Sequence, residues 1–236
     1  MMGKFIIAPA LFLSGISGVQ AADVVVQEPV PKYNWSGLYV GAEAGYAWGK
    51  STYDEPDFST AYNMYYDPKG GFGGIYFGYN WQFENNLVLG GEADFYGGDI
   101  KGRSDYYIDH VPIGVGEVWG DAKLRWAGSV RARLGYAVDR FLPYVAGGVA
   151  FGQLKFGHMD TSANWEDGWD RSETHTGWTI GGGLEYAFTE NLIGRLEYRY
   201  TDFGKRTIPL DYEKDLPTTH VSLKTNDVRL GIAYKF

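Results

Sequence analysis

The sequence predicts an all-β protein, an eight-stranded antiparallel transmembrane β-barrel with short periplasmic turns and four long extracellular loops. Three observations carry this. Segment after segment alternates apolar and small or polar residues with period two, the pattern of a strand with two unlike faces. The stretches between these segments alternate long and short. The chain also opens on a secretory leader, and no later stretch approaches the roughly 18 consecutive apolar residues of a spanning helix.

The leader is residues 1–21. Lys4 gives a basic start, residues 5–19 are apolar and small, and Val19, Gln20 and Ala21 form an A-x-A-like cleavage site. Residues 22–34, with Pro29 and Pro31, read as an extended periplasmic lead-in. Residues 35–236 are then the barrel. Its strands read as 38–48, 71–83, 87–96, 124–136, 141–155, 175–188, 192–203 and a closing strand that ends the chain. The closing strand sets the pattern. Val228, Leu230, Ile232, Tyr234 and Phe236 share one face, and Arg229, Gly231, Ala233 and Lys235 share the other. Short turns fall at residues 84–86, 138–139 and 189–191. Long polar loops fall at 49–69, 97–123, 157–174 and 204–225.

Residue type decides which face is wet. A barrel of about eight strands has an interior that side chains just fill. One face holds most of the Trp, Phe and Leu, which is too much bulk for that space. The other alternates Gly and Ala with charges. The bulky face is therefore outward, toward lipid, with Trp35, Trp48, Trp81, Phe83, Phe141, Phe188 and Phe236 as interfacial girdles. A mean hydropathy of −0.28 fits, since half of each strand faces a polar lumen.

Inward charges nearly balance. Arg125, Arg131, Arg133, Arg195, Arg199 and Arg229 face Glu43, Glu92, Asp94, Glu185 and Glu197. Folding about Glu190 sets Glu185 opposite Arg195, and the acidic third strand neighbours the basic fourth. Buried charges persist when paired, so these residues are expected to form an ion-pair network that fills the lumen. The alternative is a narrow conducting channel.

Several segments together resemble one family. They are WSGLYVG at 35–41, RARLGY at 131–136, Pro143 with Tyr144, GWTIG at 177–181, GLE at 183–185, RLEYRY at 195–200 and the terminal YKF. The chain resembles the small outer-membrane β-barrel proteins of rhizobial-order alphaproteobacteria, which include major surface antigens and haem-binding outer-membrane proteins. The resemblance implies an OmpA-type barrel in the cell outer membrane, contributing to envelope integrity and surface contacts. It also makes haem a possible ligand, with no haem motif matched residue by residue.

His and Tyr are haem-iron ligands. His110, His158, His175 and His220 fall in the long loops or at the outer end of a strand, so they are the candidate haem residues. No metal site is expected, because the acidic loop residues lack ligand spacing. No enzyme is expected either, since no catalytic constellation recurs. Cys is 0, which rules out a disulfide framework, and the net charge of −8, or −9 once Lys4 leaves with the leader, argues against nucleic-acid binding. The expected partners are outer-membrane lipid and lipopolysaccharide, a barrel-assembly machinery reading the strand that ends at Phe236, and a host or environmental ligand at the loops.

Overall fold

The computed structural model describes residues 32–55, 62–108, 111–113, 118–160, 167–209 and 218–236. The expected leader, residues 1–21, and most of the expected lead-in lie outside the described residues, as does His110.

Eight long antiparallel strands close a barrel. They are β1 (Gly37–Glu55), β3 (Lys69–Gln82), β4 (Leu87–Ile108), β6 (Val118–Tyr136), β7 (Phe141–Asp160), β8 (Asp167–Ala187), β9 (Leu192–Pro209) and β10 (Thr218–Lys235). Two short strands, β2 (Tyr62–Tyr66) and β5 (Val111–Ile113), pair with the upper parts of β1 and β4. Each long strand pairs with its neighbours, and β10 closes the ring against β1 with Ala44 opposite Leu230 and Val40 opposite Tyr234. Closure removes both sheet edges, which a single open sheet would leave as pairing hazards.

Local chemistry explains the turn end. Asn86 and Asp139 take left-handed backbone, φ 64° and 50°, which Asn and Asp tolerate best among residues with a Cβ. The second hairpin closes on reciprocal bonds between Val138 and Phe141, at 2.8 and 3.0 Å. In the third, the Thr189 hydroxyl accepts from the amides of Asn191 and Leu192.

The two faces separate as expected. Leu38, Ile75, Phe77, Trp81, Leu89, Val130, Val145, Ile180, Leu196, Leu230 and Phe236 point outward and are exposed, Trp81 and Leu230 by 65%. A soluble monomer rarely exposes a contiguous apolar patch beyond a few hundred Å². Here the apolar band runs around every strand, which is the surface of a protein whose solvent is lipid. Replacing Leu230 with Arg should therefore cost about 2–4 kcal/mol in a bilayer. Unfolding titrations in lipid vesicles check this, and a neutral result would argue for water outside.

At the loop end the structure departs from the reading. The strands are much longer than one crossing requires, so parts of all four expected loops are paired β-structure. The physical reason is that the outward residues of these extensions are polar, such as Lys50, Lys101, Lys123 and Lys224, while the buried inward ones mix Ser51 and Ser104 with Ile100, Ala122 and Leu223, so no regular apolar alternation marks them. Bulges interrupt β4 between Gly97 and Ile100, β6 between Leu124 and Trp126, and β10 between Ser222 and Lys224. The bulge in β6 corrects one residue. Arg125 is the extra residue there, so it turns outward and is exposed instead of joining the lumen.

Trp35 is a second correction. It is fully buried, not a girdle residue, because the segment before β1 folds into the barrel mouth. The lumen also holds more apolar bulk than expected, in two clusters. Tyr33, Trp35, Val88, Leu142 and Ile193 belong to the one at the turn end. Phe72, Ile100, Leu124, Leu154 and Phe203 belong to the one toward the loops. Inward glycines make the room: a Cβ at Gly41 would lie 2.5 Å from the Tyr76 ring, and one at Gly183 would lie 2.9 Å from the Tyr144 hydroxyl.

Candidate functional site

The candidate site is the lumen between those clusters. Period-two strands aim every second side chain at the barrel axis, and there the described residues bury five arginines and six carboxylates. Glu92 of β4 is the hub. Its carboxylate accepts from Arg131 Nη2 at 2.5 Å, from Arg195 Nη2 at 2.5 Å and from the Tyr39 hydroxyl at 2.8 Å, with Arg133 Nη1 at 3.3 Å. Arg195 Nε also donates to Glu185, its register partner across β8 and β9, at 2.8 Å. Arg133 Nη2 lies 2.9 Å from the other oxygen of Glu185.

Toward the loops, Glu197 accepts from Arg131 Nη1 at 2.7 Å, Arg199 Nε at 2.9 Å and the Tyr144 hydroxyl at 2.5 Å. Arg199 Nη1 donates to both oxygens of Asp94, at 3.0 and 3.1 Å, and the Ser129 hydroxyl also donates to Asp94. Arg229 spans the closing seam, donating to Glu43 at 2.6 Å and to Asp227 at 2.7 Å. Aromatic faces cover the guanidinium groups of Arg133, Arg195 and Arg229. Arg195 sits 4.0 Å from the Tyr76 ring centroid and Arg133 4.2 Å from that of Tyr144.

Desolvating so many charges is expensive, and mutual attraction offsets it only where each group has partners. All five arginines have at least one carboxylate at hydrogen-bonding distance. Asp227 belongs to this network and was missed. Its signal was available, since it lies two residues from Arg229 on the same face.

The mouth at the turn end is closed by residues 33–36. Trp35 Nε1 donates to the Asp139 carbonyl at 3.0 Å, and Trp35 N donates to the Gln82 side chain at 2.7 Å. The Tyr33 hydroxyl donates to the Glu190 carbonyl at 3.2 Å, and Lys235 Nζ donates to the Asn34 carbonyl. This short segment thus engages all three tight hairpins and the closing strand. Burial, with the Glu190 and Glu185 carboxylates nearby, pushes the Tyr33 phenol up to about 12.

The histidines are not brought together into a described site. His175 is fully buried on the inward face of β8, opposite Gly152. His158 and His220 lie in β7 and β10, and their side chains are outside the described residues, as is all of His110. Among the described residues, no group of three or more His, Cys, Asp or Glu is arranged to hold a metal.

Comparison with known proteins agrees with this geometry. A family profile described as outer membrane protein beta-barrel domain matches residues 8–236. The chain is 38% identical to a 31 kDa outer-membrane immunogenic protein of Brucella melitensis, over 99% of this chain and 100% of that one. It is 37% identical to a 22 kDa outer membrane protein of Rhizobium leguminosarum bv. viciae, over 87% of this chain and 80% of that one. Among solved structures, the outer membrane protein OprG of Pseudomonas aeruginosa aligns with a TM-score of 0.51 at 14% identity, over 86% of this chain and 98% of that one. The outer membrane protease OmpT of Escherichia coli aligns with a TM-score of 0.52 at 10% identity, over 88% and 99%. At such identities the likeness speaks for the fold alone, and proteolysis is a property of that protein.

Proposed function

Because this chain belongs to the outer membrane protein β-barrel family, we propose that it is a closed structural barrel that strengthens the outer membrane and carries its loops as a contact surface. The observation that carries this reading is the filled lumen. Arg131, Arg199, Arg229 and Glu197 are each no more than 2% exposed, and apolar clusters lie on both sides of them. A wall so packed spends its interior on holding the strands together, which leaves the cell-surface ends free to vary.

On this reading residues 1–21 are removed at export, and the segment that follows tethers the mouth from the periplasm. The barrel-assembly machinery reads the closing strand. Phe236 is 68% exposed at the end of that strand, while its amide donates to the Leu38 carbonyl at 2.9 Å. Deleting Phe236 should reduce insertion in cells more than it reduces refolding in detergent. Pulse-chase insertion assays beside in-vitro refolding measure the two separately, and equal losses would remove the machinery from the account.

Envelope integrity is tested in cells. A strain lacking the protein should become sensitive to detergent and chelator, and the wild-type chain should restore resistance. So should a chain whose loops are shortened, because strength resides in the barrel. Unchanged resistance on deletion would contradict the structural role. Capture of haem by the loops is not favoured by the one histidine whose side chain is described, since His175 faces inward.

A further inference from the structure

The outward face changes character abruptly at the loop end. On β1, β3 and β10 six successive outward positions are uncharged, and the next is lysine: Lys50, Lys69 and Lys224. On β4, β6 and β7 the same band gives way to Lys101, Lys123 and Lys155 within one or two further outward positions. Six outward positions span about the 25 Å of an apolar band on tilted strands. The lysines therefore begin where the outer leaflet's acyl chains end.

Register aligns them further. Lys69 is paired with Lys101, Lys101 with Lys123, and Lys123 with Lys155, so four lysines stand side by side on four consecutive strands. Lys50 and Lys224 are paired in the same way across the closing seam. Like charges directly opposite each other in a sheet are destabilising. Asp99 relieves part of this, at 2.8 Å from Lys101 and 3.0 Å from Lys123. Those two lysines draw its carboxylate below the usual range. Asp99 thus sits between two lysines of the row, and the bulge that turns Arg125 outward adds another cation beside Lys123.

We propose that Lys69, Lys101, Lys123 and Lys155 form a binding row for the phosphate groups of lipopolysaccharide in the outer leaflet. Phosphate oxygens accept charge-assisted hydrogen bonds from adjacent ammonium groups, and a row of such groups replaces the divalent cations that otherwise bridge neighbouring headgroups. The acyl chains of the same lipid lie against the apolar band below. The ligand is thus fixed by two contiguous surfaces, one charged and one greasy.

The test uses the full mature chain refolded in detergent, with folding verified by heat-modifiable mobility before ligand is added. Purified lipopolysaccharide, the same lipid after enzymatic dephosphorylation, and inorganic phosphate are titrated in parallel. Lipopolysaccharide should raise the unfolding temperature. Its affinity should fall at least about tenfold on dephosphorylation and by a similar factor in Lys101→Gln/Lys123→Gln. The quadruple variant with Lys69→Arg, Lys101→Arg, Lys123→Arg and Lys155→Arg should keep it. Equal affinity for the dephosphorylated lipid, or unchanged affinity in the Gln variant, would overturn the proposal. Protection by inorganic phosphate alone, matching that of the lipid, would overturn the lipid assignment.

Discussion

Replacing Glu92 with Gln should lower the stability of the barrel by about 3–5 kcal/mol, because it leaves buried arginines without their shared counter-charge. Glu92 accepts from Arg131 and Arg195 at 2.5 Å and lies 3.3 Å from Arg133, and its side chain is 1% exposed. Gln keeps the shape and one acceptor oxygen, so the loss isolates the charge. Guanidinium unfolding in detergent reads it as a lower midpoint at unchanged slope. Adding Arg195→Gln should not add its own full penalty, since it removes one of the cations that Glu92→Gln strands. Asp99→Asn is the control. That carboxylate also contacts two cations but is open to water, so no comparable shift is expected. Equal effects at the two positions would mean that burial is not what gives the network its weight.

Trp35→Ala should be the next largest change, and of a different kind. The indole is fully buried and its N–H reaches the Asp139 carbonyl at 3.0 Å. Deleting a buried Trp side chain generally costs about 3–5 kcal/mol. Here residues 33–36 can leave the mouth without breaking a barrel strand, so the loss should appear as local opening. Proteolysis near Lys32 should accelerate, and amide exchange should rise at Ala137 and Lys235, whose N–H groups donate to turn carbonyls beside the plug. Exchange in mid-strand residues such as Val130 should stay slow. A uniform rise along all eight strands would instead make Trp35 part of the global folding unit.

Most of the architecture is legible because lipid imposes a simple rule on every strand. Inside the apolar band an outward residue is greasy and an inward one is small, aromatic or charged, so period two marks each crossing. Starts at the tight turns are marked twice, by alternation and by Asn86, Asp139 and Asn191, and the hairpin strands begin where the pattern places them, at Leu87, Phe141 and Leu192. Upper ends carry no such mark. Above the band the outward face meets water, and β4 continues through KGRSDYYI with Lys101 and Arg103 exposed and Ser104 buried, a stretch with no apolar alternation to mark its end.

The inward charges on the crossing strands could be named because each sits in phase with apolar neighbours. Phase is also where the reading fails. A bulge adds one residue, and Arg125 then moves to the other face while Arg131 and Arg133 stay inside. Trp35 defeats the pattern differently, since an aromatic just before a strand reads equally well as an interfacial girdle or as a plug. Only the hairpins it touches, far away in sequence, decide between them. The lysine row is invisible in one dimension, because its members lie 22 to 32 positions apart and become neighbours only through register.

The central claim is that the lumen is filled and the barrel is a closed scaffold. Single-channel recording of the refolded wild-type protein in planar bilayers tests it most directly. The account predicts a quiet membrane, with no stable openings at moderate voltage, from protein whose folded state is verified by heat-modifiable mobility. Large, long-lived openings from the same preparation would contradict it and make the arginines and carboxylates the lining of a pore.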